Sequence, residues 1–189
     1  MSLCADQSNR SMIRRATKND IEGIIALLLQ ADMVHHKLRP DLFKSHTPKY
    51  DREELETLLG DESKPVFVYD DGEIRGHAFC QVTEVKDHRL LQDIRTLYID
   101  DICVDEKVRG RHIGQALYEF VRAYALSLGC YNITLNVWEG NAPALSFYRN
   151  MGMHVQKTTM EVIFSEEMLK SLKQIDTKPL EEMGMPGIE

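Results

Sequence analysis

Val104-Asp105-Glu106-Lys107-Val108-Arg109-Gly110-Arg111-His112-Ile113-Gly114-Gln115-Ala116-Leu117 joins a strand pattern to a helix pattern through a charged loop. Upstream, Thr96–Val104 alternates in polarity and is rich in β-branched and aromatic residues, which predicts a strand. Downstream, Ile113, Leu117, Phe120, Val121, Tyr124 and Leu128 recur at helical spacing and Gly129 closes the run. A tight strand–turn–helix aims unpaired backbone N–H groups at whatever lies over the helix start. The positive end of the helix dipole is there too, so the place suits a phosphate. Gly110 and Gly114 allow close approach, and Arg109 and Arg111 add charge that neutralises a pyrophosphate. The loop lacks the Gly-Lys-Ser/Thr of a Walker loop, and its glycine spacing does not fit a dinucleotide fingerprint. Taken alone, the same residues also fit an ordinary solvated basic loop.

Working outward, Ile13–Ala16 reads as a strand and Thr17 as an N-cap, with Asp20 completing an approximate capping box. Ile21, Ile24, Ile25 and Leu28 predict a helix to about His36. Asp51 caps a second helix that ends at Gly60. Val66–Tyr69 and Ile74–Val85 flank an Asp-Gly turn, a hairpin signature. Tyr131–Trp138 predicts another strand, Asn141 caps a helix to Asn150, and Val155–Phe164 predicts one or two further strands. Helices interleaved with strands imply a sheet covered on both faces. The expected organisation is a flexible extension over 1–11, one domain over 12–164, and a C-terminal helix and tail over 165–189.

Composition narrows the function. The formal net charge of −7 excludes a general affinity for nucleic acid, and an acidic surface favours cationic substrates. Cys4, Cys80, Cys103 and Cys130 have neither metal-ligand spacing nor a disulfide pattern. The last three lie in or beside apolar runs as buried thiols. No apolar run is long enough for a membrane, and the first residues lack the apolar middle of a signal peptide. The expectation is a cytoplasmic protein without metal.

Arg109-Gly110-Arg111-His112-Ile113-Gly114 resembles the acetyl-CoA loop of the GNAT acetyltransferases, Arg/Gln-x-x-Gly-x-Gly/Ala. About thirty residues on, Asn141-Ala142-Pro143-Ala144-Leu145-Ser146-Phe147-Tyr148-Arg149-Asn150-Met151-Gly152-Met153 resembles that family's Asn-x-x-Ala-x-x-x-Tyr-x-x-x-Gly-Phe helix. His112 departs from the pattern, standing where the family usually has its first glycine. A positive φ would strain it there, whereas in a helical first turn it donates its N–H like any residue. The resemblance implies an α/β fold: a mixed, mostly antiparallel twisted sheet with splayed central strands and helices on both faces. It implies acetyl-CoA as co-substrate, with pantetheine along the backbone of Ile102, Cys103 and Val104. It places the pyrophosphate against Arg109, Gly110, Arg111, His112, Ile113, Gly114 and Gln115, with Asn141 and Tyr148 on the facing helix.

The same resemblance gives Tyr148 the role of acid toward the departing thiolate, and its phenol is protonated at neutral pH. Tyr98-Ile99-Asp100-Asp101-Ile102-Cys103-Val104 is locally similar to the acidic strand of the diamine acetyltransferases, whose acid falls at Asp100 and acts on the amine. By strand alternation Tyr98, Asp100 and Ile102 share one face and Asp101 takes the other. Asp100 therefore reads as the group that orients the amine or receives its proton. Asp101 reads as structural, paired with an Arg or capping backbone. His35, His36, Arg39, Phe43, Tyr50, Trp138 and Glu139 are pocket candidates. The implied partner is a small-molecule amine. A protein N-terminus or lysine as acceptor, and a non-catalytic acyl-CoA sensor, are the alternatives. A homodimer through Ser165–Ile175 is an expectation from the family.

Overall fold

In the computed structural model, which describes residues 12–172, the chain starts with β1 (Ile13–Arg15) and a 3-10 turn over Lys18–Asp20. The predicted capping box is present. Asp20 Oδ2 accepts from the Thr17 backbone N–H at 2.7 Å and from its hydroxyl at 2.9 Å. The same carboxylate receives both terminal nitrogens of Arg14, at 2.7 and 2.8 Å, and Arg14 also reaches Asp70 at 2.7 Å. One buried acid thus fixes where β1 ends and α1 (Ile21–Leu38) begins. Ile21, Ile24, Leu27 and Leu28 form the buried stripe of α1. Asp51 caps α2 (Arg52–Leu58) through the Glu54 N–H at 2.9 Å.

Five strands follow chain order in one sheet: β1, β2 (Val66–Asp70), β3 (Ile74–Val85), β4 (Ile94–Val104) and β5 (Asn132–Leu135). Every pairing is antiparallel except β4 with β5, which is parallel and needs a crossover. That crossover is α3 (Ile113–Ser127), and α4 (Ala142–Asn150) follows β5. The sheet is mixed and mostly antiparallel with helices on both faces, as expected. Ile24, Leu28, Leu55, Val66, Val68 and Phe79 build the core under α1 and α2. On the other face Phe67 packs edge-on against Phe120 and Tyr124 of α3, both with centroids 5.0 Å away. Among the described residues no helix is long and apolar enough to cross a membrane.

The chain divides after Gly152 into two compact units. In the second, α5 (Glu166–Leu172) forms as predicted for that stretch. The strands expected over Val155–Phe164 do not form. Val155, Met160, Val162, Ile163 and Phe164 are all more than half exposed. β-propensity reflects packing on a pleated, half-buried surface, and these side chains are not packed on one. The expected extension over 1–11 and the tail beyond Leu172 lie outside the described residues.

Arg14's hydrogen bonds, opposed by burial and aided by Thr17, lower the Asp20 carboxyl from 3.8 to about 2. A carboxyl lowered on folding stabilises above its unfolded value, and that contribution disappears as pH falls through the folded one. Asp20→Asn is expected to cost about 1–2 kcal/mol at pH 7 and to flatten the loss of stability between about pH 4 and 2, read by urea unfolding at a series of pH values.

Candidate active site

Two backbone features of β4 create the site. Phe79 of β3 pairs with Asp101 and Cys80 with Ile99, so Asp100 is the extra residue of a bulge. Pairing with β5 runs only from Thr96 to Ile99. From Asp100 to Val104 the β5-side edge of β4 has no neighbouring strand among the described residues. This is the splayed gap. Its unpaired N–H and C=O groups match what an extended, amide-bearing ligand offers. Ile102, Cys103 and Val104 keep their β3 partners Ala78, His77 and Gly76, so the strand stays rigid where it is open.

The loop after β4 is pinned at its start. Gln30 of α1 accepts from the Glu106 N–H at 3.0 Å, and Asp105 caps the 3-10 turn through the Lys107 N–H at 3.2 Å. Gly110 and His112 then take left-handed conformations, φ +81° and +61°. Positive φ is therefore required at the family's first-glycine position, and His112 bears a strain of about 1–2 kcal/mol. Of the two conformations open to it, His112 takes the strained one. His112 is the N-cap of α3, and the bond from the Ala116 N–H to its carbonyl, 3.0 Å, starts the helix. The N–H groups of Ile113, Gly114 and Gln115 precede that bond and make no backbone hydrogen bond among the described residues. Arg109, Arg111 and His112 are exposed beside them. Arg109 Nε donates to the Val104 carbonyl at 3.3 Å, tying the loop back to the open strand.

Asn141 Oδ1 caps α4 through the Ala144 N–H at 3.2 Å. Tyr148, about two turns beyond that cap, has its ring 6.4 Å from Tyr118 of α3 and 5.1 Å from Phe147. Burial pushes its phenol well above the ordinary value, and the negative charge of Asp101 adds to the rise. Tyr148 therefore holds its proton throughout the physiological range.

On the α1 face the sequence reading needs a second correction. The bulge lets Asp100 and Asp101 face the same side, because Asp101 pairs with Phe79 and shares its face. Asp100 Oδ2 accepts from Lys49 Nζ at 2.7 Å and from the Tyr50 hydroxyl at 3.2 Å, and Tyr50 stacks on Phe79 at 5.6 Å. Asp101 Oδ2 lies 2.6 Å from Nε2 of the fully buried His77. Its partner is therefore neither an Arg nor a capped backbone group. Asp32 of α1 accepts from the Lys49 backbone N–H at 2.7 Å. Burial pushes the Asp32 carboxyl up, with the charge of Asp101 contributing. For Asp101 burial acts upward too, but His77, Lys49 and His35 outweigh it and the net shift is downward. For Lys49 burial acts downward, yet Asp100 reverses it and the net shift is upward. Asp100 thus pairs with the Lys49 ammonium, while Asp32 and Asp101 lie close enough to feel its charge.

Most of the other pocket candidates also come together. His35 packs on Phe43 at 5.2 Å, Phe43 meets Trp138 edge-on at 5.5 Å, and Arg39 lies over Trp138 at 5.5 Å. His36 Nδ1 is 2.6 Å from the Phe43 carbonyl. Glu139 is exposed. Cys103 is buried with its Sγ 3.5 Å from the Leu27 carbonyl, and burial pushes its thiol up to about 12, so it is inert as a nucleophile. Sequence reasoning missed Asp32, Lys49 and His77. Only the register of β3 on β4 reveals His77, and no local pattern marks the other two. Among the described residues no group of three or more His, Cys, Asp or Glu is arranged to hold a metal ion.

A family model described as the acetyltransferase (GNAT) family matches residues 31–153. A crystal structure of the tetramutant of the BH1408 protein from Bacillus halodurans is similar with a TM-score of 0.77 at 31% identity, over 80% of this chain and 98% of that one. Mycothiol acetyltransferase of Corynebacterium jeikeium is 38% identical over 64 residues, which is 34% of this chain and 19% of the relative. Glucosamine 6-phosphate N-acetyltransferase of Arabidopsis thaliana is 31% identical over 67 residues, which is 35% of this chain and 43% of the relative. The chain matches less than half the length of either curated relative.

A Cβ on Gly114 would meet only Val104 and Phe147, at 3.6–3.7 Å, which is ordinary contact. Gly114→Ala is expected to fold with stability raised by about 0.5–1 kcal/mol and to keep its affinity for CoA. Gly114→Asp is also expected to fold, because an acid suits a helix N-terminus, but to weaken CoA at least about tenfold by repelling the pyrophosphate. Thermal melts and calorimetry with CoA read both outcomes.

Proposed function

The chain belongs to the GNAT acetyltransferase family, and we propose that it moves the acetyl group of acetyl-CoA directly to the primary amine of a small cationic molecule. The observation that carries this reading is the clustering of Asp32, Asp100 and Asp101 about Lys49: Asp100 pairs with its ammonium, Asp32 accepts from its backbone N–H, and its charge bears on Asp101. Three carboxylates near one ammonium leave this face able to attract a further cation. The names of both curated relatives state acetyl transfer, one of them to nitrogen, which supports the same chemistry.

In this reading the amides of Ile113, Gly114 and Gln115 hold the pyrophosphate, with Gly110 and His112 shaping the loop and Arg109 and Arg111 flanking it. The pantetheine arm pairs along Ile102, Cys103 and Val104, and the N–H groups of the open strand stabilise the tetrahedral oxyanion. Asn141 spends its oxygen on the helix cap and offers its amide N–H to the cofactor. Asp100 takes the acceptor ammonium in place of Lys49. Tyr148 gives its proton to the departing thiolate. Buried free thiols at Cys80 and Cys103 support a reducing, cytoplasmic setting, and a homodimer remains part of the proposal.

The test is thiol release from acetyl-CoA across polyamines, amino acids, aminoglycosides and peptides. Turnover is expected with small cationic amines. CoA binding without thiol release on any acceptor would instead fit an acyl-CoA sensor. Tyr148→Phe is expected to lower kcat by at least about 100-fold while the heat of CoA binding is unchanged.

A further inference from the structure

His77 has no part in the scheme above, yet it is fully buried and its ring lies edge-on to Phe79 at 5.0 Å. Its Nε2 is 2.6 Å from Asp101 Oδ2, and among the described residues its Nδ1 is a buried nitrogen with no hydrogen-bond partner. A fold rarely buries an imidazole with an unmet nitrogen for stability alone, because an apolar side chain of similar size packs there at lower cost. The geometry favours one tautomer. Nε2–H donates to Asp101, and Nδ1 carries a bare lone pair, which costs less than an orphaned buried N–H.

The two neighbouring acids differ in what they have free. Asp100 Oδ2 is shared between Lys49 and Tyr50, an ion pair and a hydrogen bond that hold it as a charge partner. Asp101 has one oxygen on His77, while among the described residues its Oδ1 makes no hydrogen bond, and its side chain keeps 13% exposure. Asp101 is also near enough to Tyr148 for its charge to bear on the phenol.

We propose that Asp101, positioned by His77, receives the proton of the acceptor amine, and that Asp100 only holds the ammonium. This deepens the acetyl-transfer reading and rests on it. The ammonium passes one proton to Asp101 Oδ1, and the neutral nitrogen attacks the thioester carbon. The C–N bond forms, the tetrahedral intermediate collapses and the C–S bond breaks. The thiolate takes the phenolic proton of Tyr148, and the phenolate recovers a proton from the nitrogen that now carries the acetyl group. Asp101 then releases its proton to water, so each turnover yields amide, free CoA and one proton.

The charged and titratable groups facing Asp101 are Asp32 and His35 from α1, Lys49 and Tyr50 from the loop before α2, and His77 from β3. Asp100 and Cys103 face it from β4 itself, and Tyr148 from α4. Of these, only His77 donates a hydrogen bond to the carboxylate. Without that donor, only the charges of Lys49 and His35 oppose burial, and the carboxylate protonates at higher pH.

The experiment is the pH profile of kcat/KM with acetyl-CoA and the fastest amine of the acceptor screen. Asp101→Asn is expected to lose at least about 100-fold in kcat/KM with CoA binding unchanged, whereas Asp100→Asn mainly raises KM for the amine. His77→Phe is expected to move the acid limb upward by at least about one pH unit. His77→Gln, which restores an N–H donor, is expected to move it back. A merely structural His77 would change the folded fraction, read by circular dichroism, and leave the limb in place. An active wild type with Asp101→Asn within about threefold of it, or a limb unmoved in His77→Phe, overturns this assignment alone. A wild type that turns over no amine overturns the acetyl-transfer reading and this assignment with it.

Discussion

A β-strand that loses its neighbour halfway along must offer its unpaired amides to something else. β4 is such a strand. It is fully paired with β3, paired with β5 only as far as Ile99, and carries one extra residue, Asp100, at the point where that second pairing stops. The bulge and the gap are one event in the backbone. The gap leaves an edge that suits the amide-bearing arm of a cofactor, and the bulge brings two consecutive acids to the face where an acceptor would lie. The loop and helix that follow β4 complete the arrangement, because the loop leads from the open edge to the amides at the start of α3 that no backbone carbonyl among the described residues takes.

Electrostatics then separates the parts. The loop end of the site is built from exposed cations and helix N–H groups and suits an anion. The α1 face is built from Asp32, Asp100 and Asp101 with one ammonium among them, and it suits a cation. Tyr148 lies between, with a phenol that burial and a nearby carboxylate keep protonated. Such an arrangement places negative charge on one side of a reacting thioester carbonyl and proton donors on the other, as acyl transfer to an amine requires. The strain at His112 is confined to the turn that presents the helix amides, where unusual backbone conformations commonly serve function.

Much of this was legible in the sequence because it is written in local patterns. The buried stripe of α1, the caps at Thr17, Asp51 and Asn141, the Asp-Gly hairpin and the glycines of the loop depend only on near neighbours. What the sequence did not carry depends on register. Alternation put Asp100 and Asp101 on opposite faces, and a one-residue bulge in β4, visible only against its partner strand, reversed that. His77 gained meaning only once β3 was aligned on β4. Lys49 and Asp32 meet through a loop with no periodic signal. The strand expected over Val155–Phe164 failed for the converse reason: its propensity is real, but propensity without a packed face does not make a sheet.

The claim on which everything else stands is that two sets of main-chain amides, one on the open edge of β4 and one at the start of α3, receive acetyl-CoA. A titration of the 15N-labelled protein with CoA, followed amide by amide, tests it directly. The account predicts concentration-dependent shifts at Ile102–Val104 and at Ile113, Gly114 and Gln115, with pantetheine alone moving the first group and not the second. Shifts that leave both groups unmoved while CoA binds elsewhere would contradict it.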